Sequence, residues 1–135
     1  MNKAIITGRL TKDAQVRYTQ SGKAVASFTV AVDKPNKKNI PQGQPTADFI
    51  PCVAWEHNAD FISKWFGKGS PILLEGRIQV RQYQAKDGTN RYVTELVVQH
   101  AEFNGGNNKQ GRGQSTNAGQ QPYNGNYPED EEIPF

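Results

Sequence analysis

An all-β barrel with a single helix is the fold that this sequence predicts, and three features predict it. Residues 76–100 hold two runs rich in β-branched and aromatic residues around Asp87-Gly88, a pair typical of a β-hairpin turn. Residues 24–32 alternate in size with the two-residue period of a strand. Only residues 58–66 have apolar residues at helical spacing.

The N-terminal half supplies the remaining strands. Residues 3–10 are apolar and β-prone, and Gly8 indicates a bend where this strand curls into a barrel. Residues 47–55 form another strand, in which Pro51 predicts an edge or a bulge because proline cannot donate to a ladder. Residues 33–46 hold three prolines and three lysines, so we expect a long exposed loop there.

The helix predicted over residues 58–66 has Asn58 as its N-cap and Gly67 as its terminator. Its apolar residues are expected to pack on the barrel, Trp65 included. They are Phe61, Ile62, Trp65 and Phe66.

Three strands, one helix and a hairpin, in that order, match a five-stranded OB-fold Greek-key barrel with the helix between strands 3 and 4. The strand face and loops of such barrels bind oligonucleotides. An SH3-like or cold-shock barrel is the alternative, and the helix disfavours both.

The first strand of the hairpin predicts two unlike faces. Because successive side chains alternate, Ile78 and Val80 are expected to face the core, while guanidinium groups and a phenol ring share the other side. That side suits unpaired nucleic acid, because arginine meets phosphate and a ring stacks on a base. An ordinary solvated sheet face is the plainer interpretation. The residues on this side are Arg77, Gln79, Arg81 and Tyr83.

Charge divides the 135-residue chain into a basic body and an acidic end. Residues 1–104 carry 14 Lys and Arg against 9 Asp and Glu, which favours a polyanionic partner, whereas residues 129–135 carry four acids and no base. The single cysteine, Cys52, excludes an intramolecular disulfide framework and indicates a reducing compartment, where we expect an inert core thiol. With no signal peptide and no long apolar run, the sequence predicts a soluble cytosolic protein without a membrane partner.

The C-terminal region predicts a tether and a tip. Residues 105–128 contain 15 Gly, Asn or Gln among 24 residues, so we expect a disordered linker. Four acids then precede Ile133-Pro134-Phe135, and apolar residues at the end of an acidic segment favour a docking peptide over a merely solubilising tail.

Catalytic and metal-binding groups are not indicated. His57 and His100 are far apart in sequence, Cys52 stands alone, and no spaced acid cluster resembles a metal site, so a nuclease is a weakly supported alternative. We predict no cofactor, no metal and no catalytic residue.

Several motifs in this order resemble those of the bacterial single-stranded DNA-binding proteins. The resemblance covers residues 1–103 and the last seven. The motifs are Gly8-Arg9-Leu10-Thr11-Lys12-Asp13, Val16-Arg17-Tyr18, Phe28-Thr29-Val30-Ala31-Val32, Lys68-Gly69-Ser70, Glu75-Gly76-Arg77, Asp87-Gly88, Arg91-Tyr92-Val93-Thr94-Glu95 and Ile133-Pro134-Phe135.

The resemblance implies an OB-fold homotetramer that wraps single-stranded DNA with little sequence preference. It implies base stacking by Phe49, Trp55 and Tyr83, although the first two, taken alone, would be read as core residues. A further stacking aromatic of the family is missing from residues 33–39, which implies more reliance on phosphate contacts. The acidic terminus implies docking to replication, recombination and repair proteins.

The sequence therefore predicts a non-catalytic, cytoplasmic and nucleoid-associated protein that coats exposed DNA strands. An RNA-binding OB module is the second alternative. The phosphate contacts are predicted at Arg9, Arg17, Lys34, Lys37, Lys38, Arg77, Arg81 and Arg91. The docking residues are predicted at Asp130, Glu131, Glu132, Ile133, Pro134 and Phe135.

Ile5 and Ile6, on opposite faces of the first strand, fit either a subunit interface or a closed barrel.

Overall fold

The computed structural model describes residues 1–105, which form six strands and one α-helix. In chain order the elements are β1 (Ala4–Leu10), β2 (Gln15–Tyr18), β3 (Ala24–Asp33), β4 (Ala47–Trp55), α1 (Glu56–Trp65), β5 (Pro71–Gln84) and β6 (Asn90–Phe103). A 3-10 turn, Lys37–Asn39, lies in the loop between β3 and β4. The predicted linker beyond Gly105 and the acidic tip lie outside the described residues.

Five of the strands close into a barrel. The sheet order is β1-β5-β6-β4-β3-β2, and β1 also pairs with β3 through Arg9 opposite Ala31 and Leu10 opposite Val30. The short β2 lies outside this ring and pairs only with β3. With one helix between β4 and β5, the architecture confirms the predicted OB-type barrel.

The parallel pairing between β4 and β6 is short, and this explains why β4 tolerates Pro51. These strands pair only at Cys52 with Leu96 and Val53 with Val97. Pro51 precedes this contact and faces Thr29 on the other neighbour, β3. The strand therefore has a free edge at Pro51, as proline requires.

Glycine permits two close backbone approaches in the barrel. A Cβ atom on Gly8 would lie 2.3 Å from the carbonyl oxygen of Ala31, at the closure between β1 and β3. A Cβ atom on Gly76 would lie 2.0 Å from the carbonyl oxygen of Val97, beside the register shift between Glu75 and Gly76. The bend predicted at Gly8 is thus a closure that larger residues would block.

The barrel interior is apolar and α1 covers one end of it. Phe28, Val30, Leu74 and Leu96 are each at most 3% exposed, and Ile62 from the helix is fully buried. Phe66, which follows the helix directly, is 2% exposed and stacks on Phe103 with ring centroids 4.8 Å apart.

The predicted start of the helix was wrong by two residues. The helix begins at Glu56, with Trp55 as an N-cap that makes no side-chain capping bond. Glu56 has a positive φ of 49°, so the chain turns from β4 into α1 without a connecting loop. Asn58 is not the cap, because its Nδ2 donates to the carbonyl oxygens of Val98 and Gln99 at 3.5 Å.

Three apolar residues predicted to be buried are instead exposed. Ile78 is 40% and Val80 is 61% exposed, because β5 and β6 continue past the core as a projecting hairpin. Trp65 is 42% exposed, and the Lys64 ammonium lies 5.3 Å from its ring centroid. Ile62 and Phe66 are buried and Phe61 packs against the core, so three of the four apolar residues have the predicted role and only Trp65 does not.

Candidate nucleic-acid interface

One outward side of the sheet carries all three rings predicted to stack on bases. We call it the ring face, and strand register defines it, because residues directly opposite each other point to the same side. Val53 of β4 pairs with Val97 of β6, which pairs with Arg77 of β5. The alternate residues along β4 and β5 therefore share this side: Phe49, Pro51 and Trp55 on β4, and Gln79, Arg81 and Tyr83 on β5.

The rings are accessible rather than buried in the core. Phe49 is 59% and Trp55 is 41% exposed, and Tyr83 is half-buried. Phe49 and Trp55 lie six residues apart on β4, a separation of roughly 20 Å at 3.3 Å per residue. Such a spacing provides separate stacking positions.

Each ring shares a transverse row with an arginine. Arg9 on β1 is opposite Ala31 on β3, which is opposite Phe49. In the same way Arg17 on β2 is opposite Val25, which is opposite Trp55. In these two rows the cation and the ring are two strands apart, about 10 Å at the usual strand spacing.

The third row lies in the hairpin, where Tyr83 and Arg91 are directly opposite each other. All three row arginines are exposed: Arg9, Arg17 and Arg91. The Arg9 guanidinium also donates to the carbonyl oxygen of Gly69 at 2.8 Å, which holds the side chain against the neighbouring loop.

The lysines predicted to contact phosphate lie in and beside the loop between β3 and β4. Lys34 is paired with Asp48 at 2.5 Å, and Lys37 is paired with Asp33 at 3.4 Å. Lys38 is exposed on the 3-10 turn. Exposed ion pairs contribute about 0–1 kcal/mol, so a phosphate can replace either carboxylate at little cost.

The hairpin turn holds Arg91 in place. Asp87 Oδ1 accepts from the hydroxyl and the backbone N–H of Thr89 at 2.7 and 3.0 Å, and Asp87 Oδ2 lies 3.5 Å from Arg91 Nη2. The Thr89 hydroxyl, then its backbone N–H, hold the pKa of the Asp87 carboxyl below its ordinary value. The turn therefore keeps a charged aspartate beside the arginine of the third row.

A buried polar cluster lies between the rings and was not predicted from the sequence. Glu95 is 4% exposed on the ring face, directly opposite Gln79. Its carboxylate accepts from Gln79 Nε2 at 2.8 Å and from Arg81 Nε at 2.7 Å. Of the predicted phosphate contacts, Arg81 is thus part-buried and engaged, while Arg77 is exposed. Alternation along β6 puts Glu95 on the same side as Arg91, but only the register of the hairpin places it across from Gln79.

Cys52 points into the barrel and is 3% exposed. Burial, and then the nearby Glu95 carboxylate, raise the pKa of the Cys52 thiol well above its usual range. The thiol is therefore protonated and unreactive at neutral pH, as expected of a core cysteine.

Residues 1–105 hold no cluster of metal ligands and no membrane-spanning helix. In this part of the chain no three His, Cys, Asp or Glu residues come together in a way that could hold a metal ion. No helix among these residues is long and apolar enough to cross a membrane.

Comparison with known proteins shows which family the chain belongs to. A model of the single-strand binding protein family matches residues 1–104. The chain belongs to the single-strand binding protein family. Among related sequences, "Single-stranded DNA-binding protein 3" of Clostridium acetobutylicum is 50% identical over 104 residues, covering 76% of this chain and 70% of that protein. "Single-stranded DNA-binding protein 3" of Streptococcus agalactiae is 37% identical over 139 residues, covering 100% and 99% of the two chains.

A solved structure is similar as well. The single-stranded DNA-binding protein of Thermus aquaticus, in a deletion mutant, matches with a TM-score of 0.60 and 26% identity. The match covers 77% of this chain and 41% of that one. Proteins of the single-strand binding family bind DNA and are not enzymes, so the nuclease alternative is set aside.

Family membership does not assign individual residues. The stacking roles of Phe49, Trp55 and Tyr83 and the eight phosphate contacts remain predictions. The ring face brings together eight of those eleven residues, of which Arg81 is held by Glu95, while Lys34, Lys37 and Lys38 belong to the adjoining loop. The docking residues from Asp130 to Phe135 lie outside the described part of the chain.

Proposed function

We propose that this protein coats exposed single-stranded DNA with little sequence preference, in the cytoplasm and on the nucleoid. The observation that carries the proposal is the ring face, where three accessible rings each share a row with an arginine. A ring stacks on any base, at about 1–3 kcal/mol per base, and the arginine in its row meets the backbone phosphate. Neither contact reads a base edge, so the proposed binding is largely independent of sequence.

Competition among nucleic acids tests this proposal. A labelled oligothymidine is bound to the full chain and displaced by unlabelled single-stranded DNA, RNA of the same sequence, or duplex DNA. We expect single-stranded DNA to compete best and duplex to compete worst, because stacked and paired bases cannot reach the rings. Stronger competition by RNA would favour the RNA-binding alternative, and stronger competition by duplex would contradict the proposal.

We propose further that the protein is a homotetramer. The support is a group of exposed apolar side chains on the side of the hairpin that faces away from the ring face. Ile78 is 40%, Val80 is 61% and Tyr92 is 70% exposed there. Ile5 on β1 is 63% exposed as well. Exposed apolar residues that line one side of a projecting hairpin favour contact with another copy of the chain.

Sedimentation of the full chain, with and without oligothymidine, gives the subunit number and the DNA stoichiometry together. We expect four subunits in both conditions. The charged double variant Ile78→Lys with Val80→Lys is expected to yield smaller species, because two ammonium groups cannot be buried between subunits without partners. A wild-type monomer at micromolar concentration would refute the tetramer.

The acidic tip is proposed to recruit replication, recombination and repair proteins. Its sequence supports this, since four acids precede Ile133-Pro134-Phe135 and a long Gly, Asn and Gln segment separates them from the barrel. Deleting residues 129–135 should abolish capture of such partners and slightly strengthen DNA binding at low salt, because four negative charges are removed. Capture that survives the deletion would remove the docking role.

A further inference from the structure

A carboxylate is buried in the middle of the face proposed to meet a polyanion. Glu95 is 4% exposed and lies on the ring face beside Gln79 and Arg81. A negative charge there opposes phosphate binding, and a buried carboxylate is costly unless it is well paired. Its position therefore requires a reason beyond the stability of the sheet.

The contacts of Glu95 supply that reason. Arg81 Nε donates to Oε2 at 2.7 Å and Arg81 Nη2 lies 3.4 Å from Oε1, so the two carboxylate oxygens hold one edge of the guanidinium. Gln79 Nε2 donates to Oε2 at 2.8 Å and holds the carboxylate from the other side. Arginine and carboxylate match in shape, so this pairing fixes the orientation of the guanidinium as well as its place.

This pair differs from the other ion pairs of the proposed site. The side chains of Lys34 with Asp48 are 36% and 51% exposed, and those of Arg91 with Asp87 are 54% and 59% exposed. The side chains of Arg81 and Glu95 are 20% and 4% exposed. A phosphate can displace an exposed carboxylate, but displacing Glu95 from Arg81 would leave a buried charge without its cationic partner.

DNA therefore meets the Arg81 and Glu95 pair intact. Arg81 is the more exposed member, and it lies two residues before Tyr83 on the same side of β5. A long arginine side chain ordered in advance loses less rotamer freedom when a ligand arrives.

We propose that Glu95 is a positioning residue for DNA binding, which acts through Arg81 by holding its guanidinium on the ring face, in the row of Gln79, for a backbone phosphate. The inference rests on the proposed function, since it concerns the same face and the same ligand.

The direction in which one substitution changes the affinity for oligothymidine tests this inference. Glu95→Gln keeps the shape of the side chain and raises the net charge by one, so simple electrostatics predicts tighter binding of oligothymidine and a steeper dependence on salt. Positioning predicts the opposite, which is affinity weaker on the order of tenfold and a salt dependence no steeper than that of the wild type. Tighter binding by Glu95→Gln would overturn the inference.

A matched control separates position from charge. Asp60→Asn raises the net charge by the same amount at an exposed position of α1, away from the hairpin. It should leave affinity unchanged or slightly raise it. A loss in Asp60→Asn equal to that in Glu95→Gln would also overturn the inference, because the effect would then not depend on Arg81.

A double-mutant cycle adds a readout that sheet stability alone would not move. Arg81→Lys keeps the charge but loses the two-pronged contact, so it should weaken binding about as much as Glu95→Gln does. The two changes combined should cost no more than either alone, whereas additive losses would overturn the inference.

Urea unfolding and sedimentation on each variant verify the fold and the assembly. If the wild type itself fails to bind oligothymidine, the proposed function fails. If the wild type binds and Glu95→Gln binds equally well, only the inference about Glu95 fails.

Discussion

Replacing Trp55 with alanine should weaken binding to single-stranded DNA by a calculable amount. The residue is 41% exposed, which for a tryptophan of roughly 250 Å² leaves about 100 Å² available to a base. At about 25 cal/mol per Å² of apolar surface buried, covering that area contributes about 2.5 kcal/mol. This value lies within the range measured for base stacking on aromatic side chains and corresponds to about a 60-fold change in affinity.

The chain offers a matched control for this substitution. Trp65 is 42% exposed, almost the same as Trp55, but it lies on α1 and not on the ring face. We expect Trp65→Ala to bind oligothymidine as the wild type does. A short oligothymidine that spans one subunit is the proper ligand, since a longer strand would add the effects from several subunits.

Fluorescence gives a second, independent measurement. The chain has two tryptophans, so the Trp65→Phe variant reports on Trp55 alone. Its fluorescence should be quenched when oligothymidine is added, because the base covers the indole ring. Equal affinity losses for Trp55→Ala and Trp65→Ala, or no quenching in Trp65→Phe, would refute the assignment of Trp55 to base stacking.

Three further predictions concern the fold that positions the site. Gly76→Ala should lower the free energy of unfolding in urea by about 3 kcal/mol, because the new methyl group would lie 2.0 Å from the carbonyl oxygen of Val97, and an unchanged midpoint would contradict this. Leu74→Ala should lower it by about 2–5 kcal/mol through a cavity, since Leu74 is fully buried, and a smaller loss would mean that the core collapses around the change. The pKa of Asp87 is lowered from 3.8 in the folded turn, so its stabilisation is fully present above pH 3.8 and is lost as the pH falls through the lower folded value. Titration followed by NMR should place that pKa below 3.8, and a normal value would mean that the bonds from Thr89 do not persist.

The local pattern of the chain predicted the strands and the sidedness of the hairpin. Alternation over residues 24–32 and the Asp87-Gly88 turn are short-range signals, and the structure has β3 and the β5–β6 hairpin where those signals place them. The same alternation placed Arg77 and Tyr83 on one side. Such features depend on a few neighbouring residues, so one sequence is enough to reveal them.

The errors arose where distant parts of the chain decide the outcome. Alternation shows that Ile78 and Val80 share a side, but only the length of the hairpin beyond the barrel shows that this side has left the core. The cap assigned to Asn58 failed because β4 runs directly into α1, so no loop is left to be capped. The clamp on Arg81 needs Glu95 from the neighbouring strand, fourteen residues along the chain, and ion pairing across strands requires the register first.

The ring face also accounts for the low sequence preference that we propose. Reading a base edge requires polar side chains with donors or acceptors available near the rings. On this face Gln79 and Arg81 already donate to Glu95, and the hydroxyl of Ser27 is covered, since that residue is 2% exposed. The contacts proposed for DNA are stacking on the rings and pairing of arginines with phosphates, and both treat the four bases nearly alike. Preferences among homopolymers should therefore follow stacking strength and strand flexibility rather than hydrogen bonding, and a strong preference for one base over others of equal stacking would show that a group on this face reads base edges.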